Sequence, residues 1–196
     1  MTKQFKDITY LGSEIDDLDT YNLLPDYLKD FYLNNNGLIA YNGGLHIRGC
    51  VNFPEWHSLK EYWFGKMKLS HLFSTININD IPFAQDCFGD QYIIRNNKLG
   101  RVLAEIDEFQ DLKIDFCEFL HQVTSNVYEF LAIENISQFN LQPNQLINAF
   151  PPFCMDIKQR ILKPIDLTER ITFLSEFSKQ IKNLPDGTNI QFDVKL

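Results

Sequence analysis

Asp86 and Asp90 flank Gly89 in the run Gln85-Asp86-Cys87-Phe88-Gly89-Asp90-Gln91-Tyr92. Two carboxylates at one turn could serve as acid and base or hold a divalent cation. Asp in a turn also accepts backbone N–H bonds, and two residues supply neither a glycosidase spacing nor a full set of oxygen ligands. The turn therefore reads first as structure, with a hydrolase using Asp86 and Asp90 as the enzymatic alternative.

His46, Cys50 and His57 could approach one metal, and Cys117 lies one helical turn from His121, but neither set has a recognised zinc spacing. No G-x-S-x-G, P-loop or G-x-G-x-x-G occurs, and Ser13, Ser58 and Ser70 have no nucleophile context. Cys50, Cys87, Cys117 and Cys154 are scattered without a C-x-x-C pair, so they read as buried free thiols. No catalytic residue, metal or cofactor is expected.

Several elements must position the acidic turn. Pro82, with a fixed φ and no N–H, suits a loop or the edge of a sheet, and Gly89 permits a sharp bend. Gln91 to Arg95 and Gly100 to Ile106 read as two strands around Asn96-Asn97. Upstream, Leu24-Pro25 opens a helix with Asp26 in its first turn and Leu28, Phe31 and Tyr32 as its buried stripe. Asn34-Asn35-Asn36-Gly37 ends it. Leu38 to Asn42 and Leu45 to Val51 read as strands around Gly43-Gly44. Trp56, Leu59, Tyr62 and Trp63 then share one helical face. Leu69 to Ile78 fits helix or strand.

Downstream, Phe116, Phe119, Leu120 and Val123 have helical spacing, and Tyr128, Leu131 and Ile133 suit a second helical piece. Gln138 to Pro152 is polar and reads as a long surface excursion. Leu167 to Lys182 is the clearest amphipathic helix, with Ile171, Leu174, Phe177 and Ile181 on one face. Pro185-Asp186-Gly187 then turns into a last strand, Asn189 to Val194. Helices mixed irregularly with hairpins predict one α+β domain, residues 1–196, with a mainly antiparallel sheet covered by helices.

At 196 residues and 44% hydrophobic, the chain can bury one core, and no run reaches the roughly 20 apolar residues of a membrane span. Its beginning carries no secretory signal pattern, so a soluble, cytoplasmic protein is the default expectation. Lys and Arg number 18 against 26 Asp and Glu, a net charge of −8, which disfavours nucleic acid and suits a basic protein partner. Glu105 to Glu118 holds six carboxylates against the single Lys113. Glu14 to Asp19 forms a second acidic cluster, in a loop or on a helix face. Charge and position select Asp86, Asp90, Glu105, Asp107, Glu108 and Asp111 as candidate partner contacts, with Tyr92 and Trp56 as aromatic anchors should they be exposed.

The succession from Ile81 to Ile94, I-P-F-A-Q-D-C-F-G-D-Q-Y-I-I, then a turn and Gly100-Arg101-Val102, resembles the core signature of the SUKH superfamily. Leu24 to Phe31 with Asn35-Asn36-Gly37, Gly43 to Ile47, and Leu184 to Gly187 are similar to that family's other landmarks. The resemblance implies the Smi/Knr-like α+β fold and a non-enzymatic role. One branch comprises immunity proteins that neutralise a cognate toxin, some of them nucleases, by direct binding. The other comprises regulators of cell-wall or stress signalling.

Overall fold

Asn96 and Asn97 both adopt positive φ, 51° and 62°, and close a two-residue hairpin between strands β5 (Gln91–Arg95) and β6 (Lys98–Leu103). Such turns match the right-handed strand twist only with φ above zero at both central positions, which Asn tolerates. The computed structural model describes residues 4–133, 135–157, 159–185 and 187–188, and places this hairpin in a seven-stranded sheet. Strands β1 (Tyr10–Leu11), β2 (Leu38–Ala40), β3 (Leu45–Ile47) and β4 (Ile81–Asp86) precede it, and β7 (Glu108–Asp111) follows. Each strand pairs antiparallel with the next, so β1 and β7 form the edges of a meander.

Helices cover both faces, giving the α+β architecture that the pattern of elements predicts. They are α1 (Leu18–Leu23), α2 (Asp26–Asn34), α3 (Leu59–Trp63), α4 (Leu69–Leu72), α5 (Phe116–Ser125), α6 (Val127–Leu131) and α7 (Leu167–Ile181). Caps set their starts: Asp17 Oδ1 accepts from Thr20 N, Asp115 Oδ1 from Glu118 N, and Asp166 Oδ1 from Thr168 N and Glu169 N. Strand β5 shows how the two cores divide. Tyr92 and Ile94 join Phe31, Phe116 and Phe119 on one face, while Ile93 joins Tyr62, Leu69, Ile171 and Leu174 on the other. That is the period of two, with a side chain buried on each face. Each of these large apolar groups contributes about 2 kcal/mol through burial.

The structure departs from the sequence reading in four places and decides a fifth that the sequence leaves open. Pro82 lies inside β4, an interior strand, because a register shift between Ile81 and Ala84 relieves the ladder where Pro has no N–H. Leu69 to Ile78 resolves into α4 followed by turns. The second arm of the hairpin ends at Leu103, and Asp107, at φ 49°, helps turn the chain into β7. The polar excursion contains a strand, β8 (Gln145–Phe150), which forms a separate ribbon with β9 (Ile161–Asp166). Cys117 and Cys154 are exposed, while Cys50 and Cys87 are buried. The strand expected over Asn189 to Val194 lies outside the described residues, as does Asp186. No helix among the described residues is long and apolar enough to cross a membrane.

Candidate functional site

Gly89 makes the acidic turn possible. Its φ is +100°, and a Cβ there would lie 2.6 Å from Leu174 Cδ1. The chain folds back so that Asp86 Oδ1 accepts from the amides of Phe88, Gly89 and Asp90 at 2.9, 3.0 and 3.1 Å. Register brings Arg101 of β6 opposite Tyr92, beside this turn. Arg101 Nη2 reaches Asp86 Oδ2 at 3.1 Å and Asp90 Oδ2 at 2.8 Å, while Nε donates to Asp90 Oδ2 at 3.0 Å. Asp90 Oδ1 accepts from Ala104 N at 2.9 Å. Burial and then the Asp90 charge push the Asp86 carboxyl up to about 7, while Arg101 and the amide donors pull the other way. Asp86 is fully buried, with Oδ1 bound by three amides and Oδ2 by Arg101, so its carboxylate presents no face to solvent.

Beside this turn lies a cavity of about 370 Å³ between β6, α7, the end of α6 and the loop after β8. Phe88, Leu103, Phe153 and Leu174 give it apolar walls, and Asp90, Arg101, Glu105 and Arg170 are its charged groups. Phe153 meets Phe88 edge-on with centroids 5.0 Å apart. Buried Arg170 spends its guanidinium on Asn148 Oδ1 at 2.8 Å and Phe88 O at 3.2 Å, and reaches Glu105 Oε1 only at 3.5 Å. Glu105 Oε2 accepts from Cys154 N at 3.0 Å, tying the loop to the sheet. Arg160 holds the same loop by donating to the carbonyls of Pro152, Phe153 and Met155. Burial and the Glu105 charge raise the Cys154 thiol above its ordinary value, which suppresses the thiolate a nucleophile needs.

Behind the turn, Arg48 is fully buried, with no carboxylate partner among the described residues. Its Nη2 donates to Gln85 Oε1 at 2.6 Å and Gln91 Oε1 at 2.7 Å, and its Nη1 to Pro82 O at 2.6 Å. The guanidinium lies 4.1 Å from the centroid of the Tyr62 ring. Burial lowers its pKa to about 10, which leaves it cationic at neutral pH. Gln91 Nε2 donates to Gly89 O at 2.7 Å and so links this network to the acidic turn.

The six acidic candidates separate by environment. Asp86 and Asp90 come together on Arg101. Glu105 faces the neighbouring cavity. Asp107 is buried elsewhere, where its carboxylate accepts from the amides and hydroxyls of Ser74 and Thr75 at 2.6 to 3.2 Å. Those bonds hold its carboxyl below the ordinary value against the opposing effect of burial. Glu108 and Asp111 are exposed on edge strand β7. In the other acidic cluster, Asp17 caps α1 and Asp16 Oδ1 accepts from Asn52 N at 2.7 Å. Tyr92 is buried and Trp56 is half-buried against Tyr10, so Tyr92 presents no surface to a partner. His46 and His57 do meet, but among the described residues no three of His, Cys, Asp or Glu gather as a metal would require. The sequence reading missed Arg48, Arg101 and Arg170. The available signal was a lone Arg inside each of three apolar periodic runs.

A search of solved structures finds a similar fold in the crystal structure of Atu4351 from Agrobacterium tumefaciens. The TM-score is 0.53 at 13% identity, and the alignment covers 89% of this chain and 86% of that one. At this identity the likeness shows the fold alone. No protein-family model and no curated protein matches the chain.

Proposed function

We propose that this chain is a non-enzymatic binding protein of the SUKH type, an immunity protein that acts in the cytoplasm and neutralises a basic toxin by direct contact. One observation carries the reading: Asp86 and Asp90, the carboxylates best spaced for chemistry, share Arg101 and four backbone amides. Groups committed in this way hold a turn in place. What the chain offers outward is acidic, with Glu108 and Asp111 on an edge strand and a net charge of −8. Such a surface steers a basic protein toward contact and repels nucleic acid.

The test is co-expression with the product of the adjacent gene, scored by growth and by co-purification. Rescue of growth together with a stable complex supports immunity. A partner that is harmless and unbound points instead to the regulatory branch of the resemblance.

A further inference from the structure

The cavity beside the acidic turn is large enough for a partner side chain, and its volume falls within the range of ligand sites. Its apolar walls suit a methylene stem. Its polar end holds Asp90 and Glu105 beside Arg101 and Arg170, and Asp86, buried behind the wall, also pairs with Arg101. An anion would meet guanidiniums that these carboxylates already match. Among the described residues Glu105 Oε1 is the acceptor left most open, its one polar contact being Arg170 Nη2 at 3.5 Å. Glu108 pairs across the ladder with Leu103, so both side chains lie on one sheet face, the face that lines the cavity. Glu108 is exposed, and its side chain makes no hydrogen bond or ion pair with any described residue.

We propose that this cavity receives an Arg or Lys side chain of the protein partner, its stem against Phe88, Leu103 and Leu174 and its cationic head on Glu105. The proposal rests on the binding reading above and gives that partner its anchoring chemistry. The carboxylate at the far end selects for positive charge, while Glu108 draws the cation to the mouth.

The probe is N-acetyl-arginine methylamide titrated into the ¹⁵N-labelled protein, with the neutral isostere N-acetyl-citrulline methylamide as control. The expected result is saturable shifts at the amides of Leu103, Glu105 and Cys154, with at least tenfold weaker binding of citrulline. Glu105→Gln weakens arginine binding at least tenfold, and Leu103→Trp, which fills the cavity, removes it. Thermal melting confirms that each variant is folded, and Cys154→Leu replaces Leu103→Trp should the latter fail to fold. Equal shifts with both probes, or unchanged affinity in Glu105→Gln, overturn the proposal. If the wild-type chain binds the adjacent-gene product and both variants bind it equally well, the proposal falls and the binding reading stands. If the wild-type chain forms no such complex, that reading fails, and the probe titration alone decides the cavity.

Discussion

His46 and His57 meet in the core with Nε2 and Nδ1 2.9 Å apart, their rings within 10° of parallel and their centroids 5.1 Å apart. This separation suits an in-plane bond between ring edges. One choice of tautomers satisfies the whole chain. Gln85 Nε2 donates to His46 Nδ1 at 3.4 Å, His46 Nε2–H donates to His57 Nδ1, and His57 Nε2–H donates to Asn36 O at 3.4 Å. Both rings are then neutral. Gly12, Gly37 and Gly49 pack around His57 so closely that a Cβ at any of them would lie within 2.8 Å of the ring.

The first prediction concerns acid stability. Burial, then His57 and Arg48, lower the His46 pKa well below its ordinary value, and burial lowers His57 to about 4. Unfolded His titrates near 6.5, so the unfolded chain binds more protons between about pH 4 and pH 6.5. Stability is complete above that window and falls as the pH drops through it, by up to about 3 kcal/mol for His57. The raised Asp86 carboxyl works the other way in the same window, so the wild-type urea midpoint is read against His57→Gln and should lose more than the variant's between pH 7 and pH 5. Equal pH dependence of the two would contradict the neutral pair.

Asp86→Asn should destabilise the fold. An amide nitrogen facing Arg101 places donor against donor, and breaking a buried ion pair costs about 3 to 5 kcal/mol. Urea denaturation measures this directly. A variant as stable as the wild-type chain would return Asp86 to the class of spare, chemically available carboxylates.

Local patterns were legible in the sequence and distant partners were not. The Asn96-Asn97 turn, the burial of α2 and the apolar face of α7 follow from short-range periodicity and backbone preference. Glu105 and Asp107 looked like surface charge because a sequence displays charge but hides the neutraliser. Their partners, Arg170 for Glu105 and Lys182 with Ser74 and Thr75 for Asp107, arrive from distant segments. Strand β8 was hidden because Gln145 and Asn148 interrupt its apolar pattern, and Pro82 was misread because a bulge admits proline to an interior strand. The candidate site was half legible. Its turn was found, while the cavity needs α7 and the β8–β9 ribbon folded against it.

Arg48→Lys should cost nearly as much as Arg48→Met, about 4 kcal/mol, because a single ammonium cannot replace the guanidinium fork that serves Pro82, Gln85 and Gln91. Chemical denaturation of the two variants decides the point. Retention of wild-type stability by the Lys variant would show that charge matters here and the fork does not.

Gly89→Ala should lose about 2 kcal/mol, since φ +100° strains any L side chain and the new methyl would press on Leu174. Thermal melting reads the loss. An unchanged melting temperature would mean that the turn relaxes without penalty.

The most direct test of the central claim is the association rate between this protein and the product of the adjacent gene, measured by stopped flow from low to high ionic strength. An acidic surface that steers a basic toxin predicts a fast rate at low salt that falls at least tenfold as salt screens it, with dissociation little changed. Glu108→Lys should lower the rate further. A rate that ignores salt, or the absence of any complex, would contradict the account.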